Sequence, residues 1–241
     1  MHVPSLPDDY RMSLPEAAAL QRRLAAEVRL EPLAGPVRFV AGVDVSSEWH
    51  GSLLSAAVVV FAYPSLTPVE SVFAEHESAF PYVPGFLSFR EIPALLKAFA
   101  QLRQAPDVLF VDGQGITHPR RLGIAAHLGV LLDLPSVGVA KSSLYGSWQE
   151  PVRPGDGQPI LDPRSGELLG TAFKSKARSK PILVSPGHRI THDEALALVR
   201  SMLQGYRLPI TTRAAHDAVN AYRRSRKAPA TGDSGNLLAE D

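Results

Sequence analysis

The chain reads as an α/β domain built on one mixed sheet, three antiparallel strands followed by parallel ones, with helices flanking it. Three observations predict this. Three valine-rich segments follow one another early in the chain with turn residues between them, as in a meander. Beyond them, short apolar runs alternate with stretches whose apolar residues recur every three or four positions, the pattern of strands joined by crossover helices. The 241 residues are 45% hydrophobic, enough for one domain with a proper core.

Each element has its own warrant. Ser13-Leu14-Pro15-Glu16 has the form of a capping box with proline at the helix start, and Leu20, Leu24 and Val28 continue at four-residue spacing. Residues 37–46 form a strand that carries Gly42 and, inside its apolar run, Asp44. Leu53–Ala62 and residues 68–77 complete the meander, with turns at His50-Gly51 and Pro64-Ser65. The stretch from Phe80 to Gly85 is turn-like, and a helix begins near Ser88 with Ile92, Leu95, Leu96 and Phe99 as its buried stripe. Val108–Val111 is a short buried strand that stops abruptly at Asp112 and Gly113. A helix over residues 120–133 and a strand over Ser136–Ala140 then complete a right-handed βαβ unit.

The glycines and prolines of residues 146–167 read as a loop or loosely held insert. Leu168–Phe173 and residues 182–185 are hairpin strands. Thr191 opens a helix with Leu196, Leu198, Val199, Met202 and Leu203 on its apolar face. A last helix spans residues 211–224, so residues 1–227 make one domain and 228–241 a disordered tail. A meander followed by alternating helices and strands is the order of a ribonuclease H-like sheet, whose first strand is central and pairs with the later parallel strand. That pairing makes Asp44 and Asp112 neighbours.

Lys plus Arg (25) nearly balances Asp plus Glu (24), so net charge does not announce a nucleic-acid partner. The distribution is less even. Lys174, Lys176, Arg178 and Lys180 alternate, and an extended chain shows all four on one face. Arg223, Arg224, Arg226 and Lys227 form a second cluster. Either can track a nucleic-acid backbone, and either can be a solvated face. The absence of cysteine excludes a disulfide framework or thiolate metal site and suits a reducing cytoplasm. The amino-terminal stretch lacks a signal-peptide pattern, and no apolar run approaches the ~20 residues of a membrane helix, so a cytoplasmic protein without membrane contact is expected.

A carboxylate inside an apolar run is tolerated when it is paired or binds a metal. Asp44 and Asp112, with Glu91 as a third member, form an oxygen-rich set of the kind that selects Mg²⁺ or Mn²⁺. Such ions activate water and stabilise the leaving oxygen of a phosphodiester. Each residue also has a plainer reading: Asp112 as a turn or cap residue, Glu91 as a first-turn complement to the helix dipole. His216 is an outer ligand, a proton carrier or a surface residue, and His118, just before Pro119, is open to the same choice. Lys141, at a strand end, is a point charge for a phosphate or an ordinary solvated lysine. Tyr82 can stack on bases and fill the gap left by an extruded nucleotide, or belong to the core.

Several segments follow one another between residues 42 and 216: Ala41-Gly42-Val43-Asp44, Pro81-Tyr82-Val83-Pro84-Gly85-Phe86-Leu87-Ser88-Phe89-Arg90-Glu91, Val111-Asp112-Gly113-Gln114-Gly115, His118-Pro119-Arg120, Gly138-Val139-Ala140-Lys141-Ser142 and Thr212-Arg213-Ala214-Ala215-His216. On these the chain resembles endonuclease V, the deoxyinosine 3′-endonuclease family, and the segment from Pro81 to Glu91 is the most specific. The resemblance implies a ribonuclease H-like fold and Mg²⁺-dependent hydrolysis of DNA, with Mn²⁺ able to substitute. The bond cut is the second phosphodiester 3′ to deoxyinosine, in DNA repair; separately, a monomer is expected.

It further implies that Asp44, Glu91, Asp112 and His216 hold the metal and that Lys141 contacts the scissile phosphate. Tyr82 is then the wedge, and Gly85, Leu87, Gly113, Gly123, Ile124 and Leu144 line the hypoxanthine pocket, with His118 also on the substrate side. Hypoxanthine presents an acceptor where adenine presents a donor, so a backbone N–H can accept one and reject the other. Its weak pairing lowers the cost of extrusion. Residues 146–167 and the tail are not assigned by the resemblance. Two alternatives remain: a ribonuclease H-like nuclease acting on inosine-containing RNA or on mismatched or branched DNA, and a silent nucleic-acid-binding module. The first has no need of the 81–86 loop; the second has no use for three converging carboxylates.

Overall fold

The computed structural model describes residues 2–5, 11–48 and 51–227. The elements in chain order are α1 (Leu14–Ala25), β1 (Phe39–Ser47), β2 (Leu53–Ala62), β3 (Thr67–Glu77), α2 (Leu87–Phe99), β4 (Val108–Val111), α3 (Ile124–Leu132), β5 (Ser136–Ala140), β6 (Gly157–Leu161), β7 (Leu168–Phe173), β8 (Ile182–His188), α4 (His192–Ser201) and α5 (Ile210–Lys227). The strands form one sheet in the order β3-β2-β1-β4-β5-β8-β7-β6. β1 to β3 are the antiparallel meander, and β1 pairs parallel with β4, which pairs parallel with β5. This is the expected ribonuclease H-like order.

Side-chain alternation sorts the core into two layers. Ala41, Val43, Leu109 and Val111 pack with α2 and α3 on one face. Val40, Val108 and Phe110 pack with α4 and α5 on the other. With both faces covered, all four residues of β4 are buried, which is why that strand reads as an unbroken apolar run. α1, with the expected Ser13–Glu16 capping box, packs Leu24 against Ile116, Leu122 and Ala126, and Ala17 against Phe80 and Phe89. Among the described residues no helix is long and apolar enough to cross a membrane.

The structure corrects three expectations. The helix expected at residues 120–133 starts only at Ile124: Arg121 takes a left-handed conformation (φ 59°), and the Gly123 N–H donates to the Gly115 carbonyl at 2.9 Å. Residues 118–123 are thus a turn pressed onto the loop after β4. Residues 146–167 are not a loose insert, since β6 pairs antiparallel with β7 and buries Ile160 completely. Pro159 disguised it, and β6 tolerates that proline because it is the edge strand. Finally, residues 174–180 are not extended. Lys174 Nζ donates to the Ser179 carbonyl at 2.6 Å and Arg178 is left-handed (φ 58°), closing a turn in which the four cations do not alternate along one face.

In the second basic cluster Arg223 donates to the Ser47 carbonyl (2.9 Å) and Arg226 pairs with Glu75 (3.5 Å). The tail at 228–241 and His50 of the expected first turn lie outside the described residues.

Candidate active site

β1 and β4 run in register from Val40 opposite Val108 to Val43 opposite Val111. The next residue of each strand is an aspartate. The Asp112 N–H donates to the Val43 carbonyl at 3.2 Å, which holds Asp44 and Asp112 side by side where the ladder ends. α5 lies directly across β1 at Gly42, where a Cβ would sit 1.9 Å from the Thr211 carbonyl oxygen. Glycine there lets the helix approach, and one turn and a half further on His216 places Nδ1 2.8 Å from Asp44 Oδ2. One ligand atom each from Asp44, Asp112 and His216 lies within 4.8 Å of the other two. Glu91, from the first half of α2, is outside that tight group but lines the same cavity as both aspartates.

The charges are poorly compensated. Burial, then the Asp112 charge, raises Asp44 to about 6 against the pull of His216. Burial, then the charges of Asp44 and Asp112, raises Glu91 to about 8. The Arg90 charge lowers Glu91 only in part, since its guanidinium is turned to the Phe80 and Gly51 carbonyls. Lys141 meets the Asp112 carboxylate with its ammonium. The raised values of Asp44 and Glu91 record the mutual repulsion of three carboxyl groups in one oxygen-lined hollow, the donor set of a hard divalent cation, whose charge would draw both carboxyls back to the ionised form.

Beside it is a cavity of about 160 Å³, continuous with the carboxylates. Every residue expected in the pocket lines it: Gly85, Leu87, Gly113, His118, Gly123, Ile124 and Leu144. Ser88, Gln114 and Leu122 line it as well and were not foreseen. Tyr82 stands apart from the core at 69% exposure, three residues before Gly85.

The loop carrying Tyr82 has three side chains converging on one of its carbonyls. Gly85 is left-handed (φ 80°), and its carbonyl accepts from Gln21 Nε2 (2.9 Å), His118 Nε2 (3.0 Å) and Arg120 Nη2 (2.8 Å). The Arg120 N–H donates to His118 Nδ1 at 3.1 Å, so the ring proton sits on Nε2 and points at Gly85. Burial, with the charges of Arg120 and Arg121 nearby, lowers His118 to about 4 and keeps it neutral near pH 7. Arg120 also donates to Gln21 Oε1 and stacks over Phe86 at 4.2 Å.

Gln21 is fully buried, and its spacing from Ala17 and Leu24 on the buried stripe of α1 is the signal by which it was open to discovery. Two further hydrogen-bonded supports lie beside the site. Ser88 Oγ lies 3.0 Å from Nδ1 of His127, a histidine inside the apolar run of α3 that burial lowers to about 3. Asn220 Nδ2 donates to His216 Nε2 at 3.2 Å, leaving the imidazole proton on Nδ1 facing Asp44, while Asn220 Oδ1 accepts from Ser46 at 2.9 Å.

A family model described as Endonuclease V matches residues 22–217. An endonuclease V from Rippkaea orientalis is 50% identical over 202 residues, 83% of this chain and 87% of that protein. The crystal structure of endonuclease V from Streptomyces avermitilis superposes with a TM-score of 0.85 at 38% identity, covering 92% of this chain and 98% of that one. Endonuclease V from Ciona intestinalis, solved in complex with a 23mer DNA containing an inosine followed by a ribo-adenosine, gives a TM-score of 0.80 at 26% identity over 89% of this chain and 98% of that one. Agreement this extensive in both residues and backbone has one meaning: the chain belongs to the endonuclease V family of nucleases.

Proposed function

We propose that this nuclease is a Mg²⁺-dependent DNA repair enzyme that takes an extruded deoxyinosine into the cavity and hydrolyses the second phosphodiester bond 3′ to it. The observation that carries this reading is the continuity of a base-sized cavity with the carboxylates: Asp44, Glu91 and Asp112 share their walls with Gly85, Leu87 and Ile124. An apolar cavity of about 150 Å³ takes a benzene ring, and this one, at about 160 Å³ with an open mouth, is of the right scale for a single base. The Ciona relative, bound to inosine-containing DNA, supports the same substrate class.

Each side chain then has a task. Asp44, Glu91 and Asp112 would hold the metal, with His216 joining through Nδ1 once its ring proton moves to Nε2, and Mn²⁺ would suit the same donors. Bound there, the ion would acidify an attacking water and stabilise the leaving oxygen. Lys141, half exposed, can turn from Asp112 to a phosphate oxygen. Tyr82 fills the space the base leaves. Leu87 and Ser88 bring the first turn of α2 to the cavity, and first-turn N–H groups have no intrahelical acceptor. They donate to the exocyclic oxygen of hypoxanthine and meet adenine's amino group donor to donor.

The second reading, action on inosine in RNA, draws on the ribo-adenosine that follows the inosine in the Ciona complex. One experiment separates them: the protein with Mg²⁺ and labelled duplexes carrying inosine, uracil, a mismatch or no lesion, alongside an inosine-bearing RNA. Cleavage of the inosine DNA alone, one nucleotide beyond the lesion on its 3′ side, is expected and should vanish in Asp112→Ala. Equal cutting of the undamaged duplex sinks the proposal, and faster cutting of the RNA installs the alternative.

A further inference from the structure

The turn after β7 and the segment between α4 and α5 have no part in the site described so far, yet they are stitched to it. Arg207 donates through Nη2 to the Lys141 carbonyl (3.2 Å) and the Pro181 carbonyl (3.1 Å), and through Nε to the Lys180 carbonyl (3.0 Å). Its own carbonyl accepts from Ser175 Oγ at 2.6 Å. The backbone of Lys141, whose ammonium touches Asp112, is therefore fused to both segments. Gln204 and Gly205, both left-handed, reverse the chain and turn Tyr206 outward to 53% exposure. The Arg213 guanidinium lies 3.7 Å from that ring's centroid and Lys176 Nζ 5.9 Å. Among the described residues none of Lys176, Arg178, Lys180 and Arg213 is paired with a carboxylate.

We propose that Lys176, Arg178, Lys180, Arg213 and Tyr206 form a ledge that carries the DNA strand on the 3′ side of the cut. Arg213 Nε also donates to the Leu208 carbonyl at 3.3 Å, but an exposed aromatic ring beside cations that have no carboxylate partner is still the combination that binds a single strand without reading its sequence: cations follow the phosphates and the ring stacks on a base. The direction follows from the layers. The cavity is built from α2, α3, the loops before them and Leu144 of the loop after β5, beside the carboxylates at the strand ends, whereas α5 and the ledge belong to the opposite face of the sheet. The carboxylates lie between the two, at the strand ends. A strand with its lesion in the cavity and its scissile bond at the carboxylates must, on continuing 3′, leave past Lys141 and onto the ledge. This inference rests on the proposed reading of lesion and cut.

The test uses inosine-bearing strands with a constant 5′ flank and 3′ flanks running from a dinucleotide to a full helical turn. The proteins are wild type, a Lys176→Ala/Arg178→Ala/Lys180→Ala variant and Tyr206→Leu, with circular dichroism melts confirming that each is folded. With long 3′ flanks the triple variant should raise KM roughly tenfold. Its salt dependence should flatten by about 0.7 to 0.9 in log–log slope for every phosphate that no longer has a cation beside it. Tyr206→Leu should raise KM without changing that slope. With the dinucleotide flank all three proteins should converge, and kcat should stay unchanged throughout. A KM penalty that persists on the shortest 3′ flank, one that follows the 5′ flank instead, or no penalty at all overturns the ledge. A wild-type protein that cuts inosine and undamaged strands alike removes the underlying reading and the ledge with it, and so is told apart from failure of the ledge alone.

Discussion

Replacing Glu91 by glutamine should stabilise the metal-free protein, by an amount that grows with pH. Burial and the charges of Asp44 and Asp112 hold this carboxyl at about 8 in the fold, against an ordinary 4.5. A carboxyl raised in this way keeps its proton more tightly folded than unfolded. Its contribution to stability is whole below the unfolded value and is lost as pH climbs through the folded one. One pKa unit between the two states is worth about 1.4 kcal/mol, so the loss across this window is on the order of a few kcal/mol.

Glutamine has nearly the same shape and no charge to lose. Urea unfolding in chelator should show Glu91→Gln and wild type close together near about pH 4.5 and well apart near about pH 9. With an m-value of about 1–3 kcal/mol per molar, the midpoints at the higher pH should differ by about 1 M or more. The difference between the two proteins is the right readout, because Asp133, Asp162 and Glu194, all lowered by their partners, give the wild-type curve an opposing slope in acid. Added Mg²⁺ should reverse the order, stabilising wild type more than Glu91→Gln. An advantage of the same size at both pH values would refute the reasoning, for it would show that shape and not charge repulsion sets the energy of this position.

Three further outcomes follow from the same geometry. Gln21→Leu removes a donor to the Gly85 carbonyl and the acceptor of Arg120, and should cost about 1–3 kcal/mol in unfolding free energy while raising KM for inosine DNA more than it lowers kcat; equal stability would mean the clamp adds nothing. Gly42→Ala forces α5 off β1 and should cut activity by about a hundredfold, the usual effect of an ångström's misplacement; Gly35→Ala, with nothing within 4 Å of the added carbon, is its control. Tyr82→Ala should weaken inosine-duplex binding by about 1–3 kcal/mol with the melting temperature unchanged, as a ring exposed to 69% predicts; a lowered melting temperature would return Tyr82 to the core.

What the sequence disclosed was carried by strong local patterns. β4 announces itself by four apolar residues, and both α1 and α4 begin at capping boxes readable letter by letter. Asp44 was conspicuous because a charge inside an apolar strand needs a reason. What stayed hidden depends on contacts across the fold. Nothing local to Gln158, Pro159 and Ile160 makes an edge strand, since the pairing that does so comes from β7. The four alternating cations of 174–180 looked like a strand face until the Lys174–Ser179 bond closed them into a turn. Gln21, Ser88 and His127 are polar residues in apolar registers, and only the long-range partners of each, at Gly85 and between Ser88 and His127, say why.

Arg121, which donates to the carbonyl of the cavity residue His118, reaches the outer hairpin, where it meets the carboxylates of Asp162 and Glu167. Asp162 in turn takes the N–H groups of Arg164 and Ser165 and so knots the hairpin tip. The rim of the molecule is thus mechanically tethered to the turn that forms one side of the cavity. Lengthening or trimming that tip should be felt at His118, through the Arg121 guanidinium and through the Thr117 hydroxyl that donates to the Leu169 carbonyl.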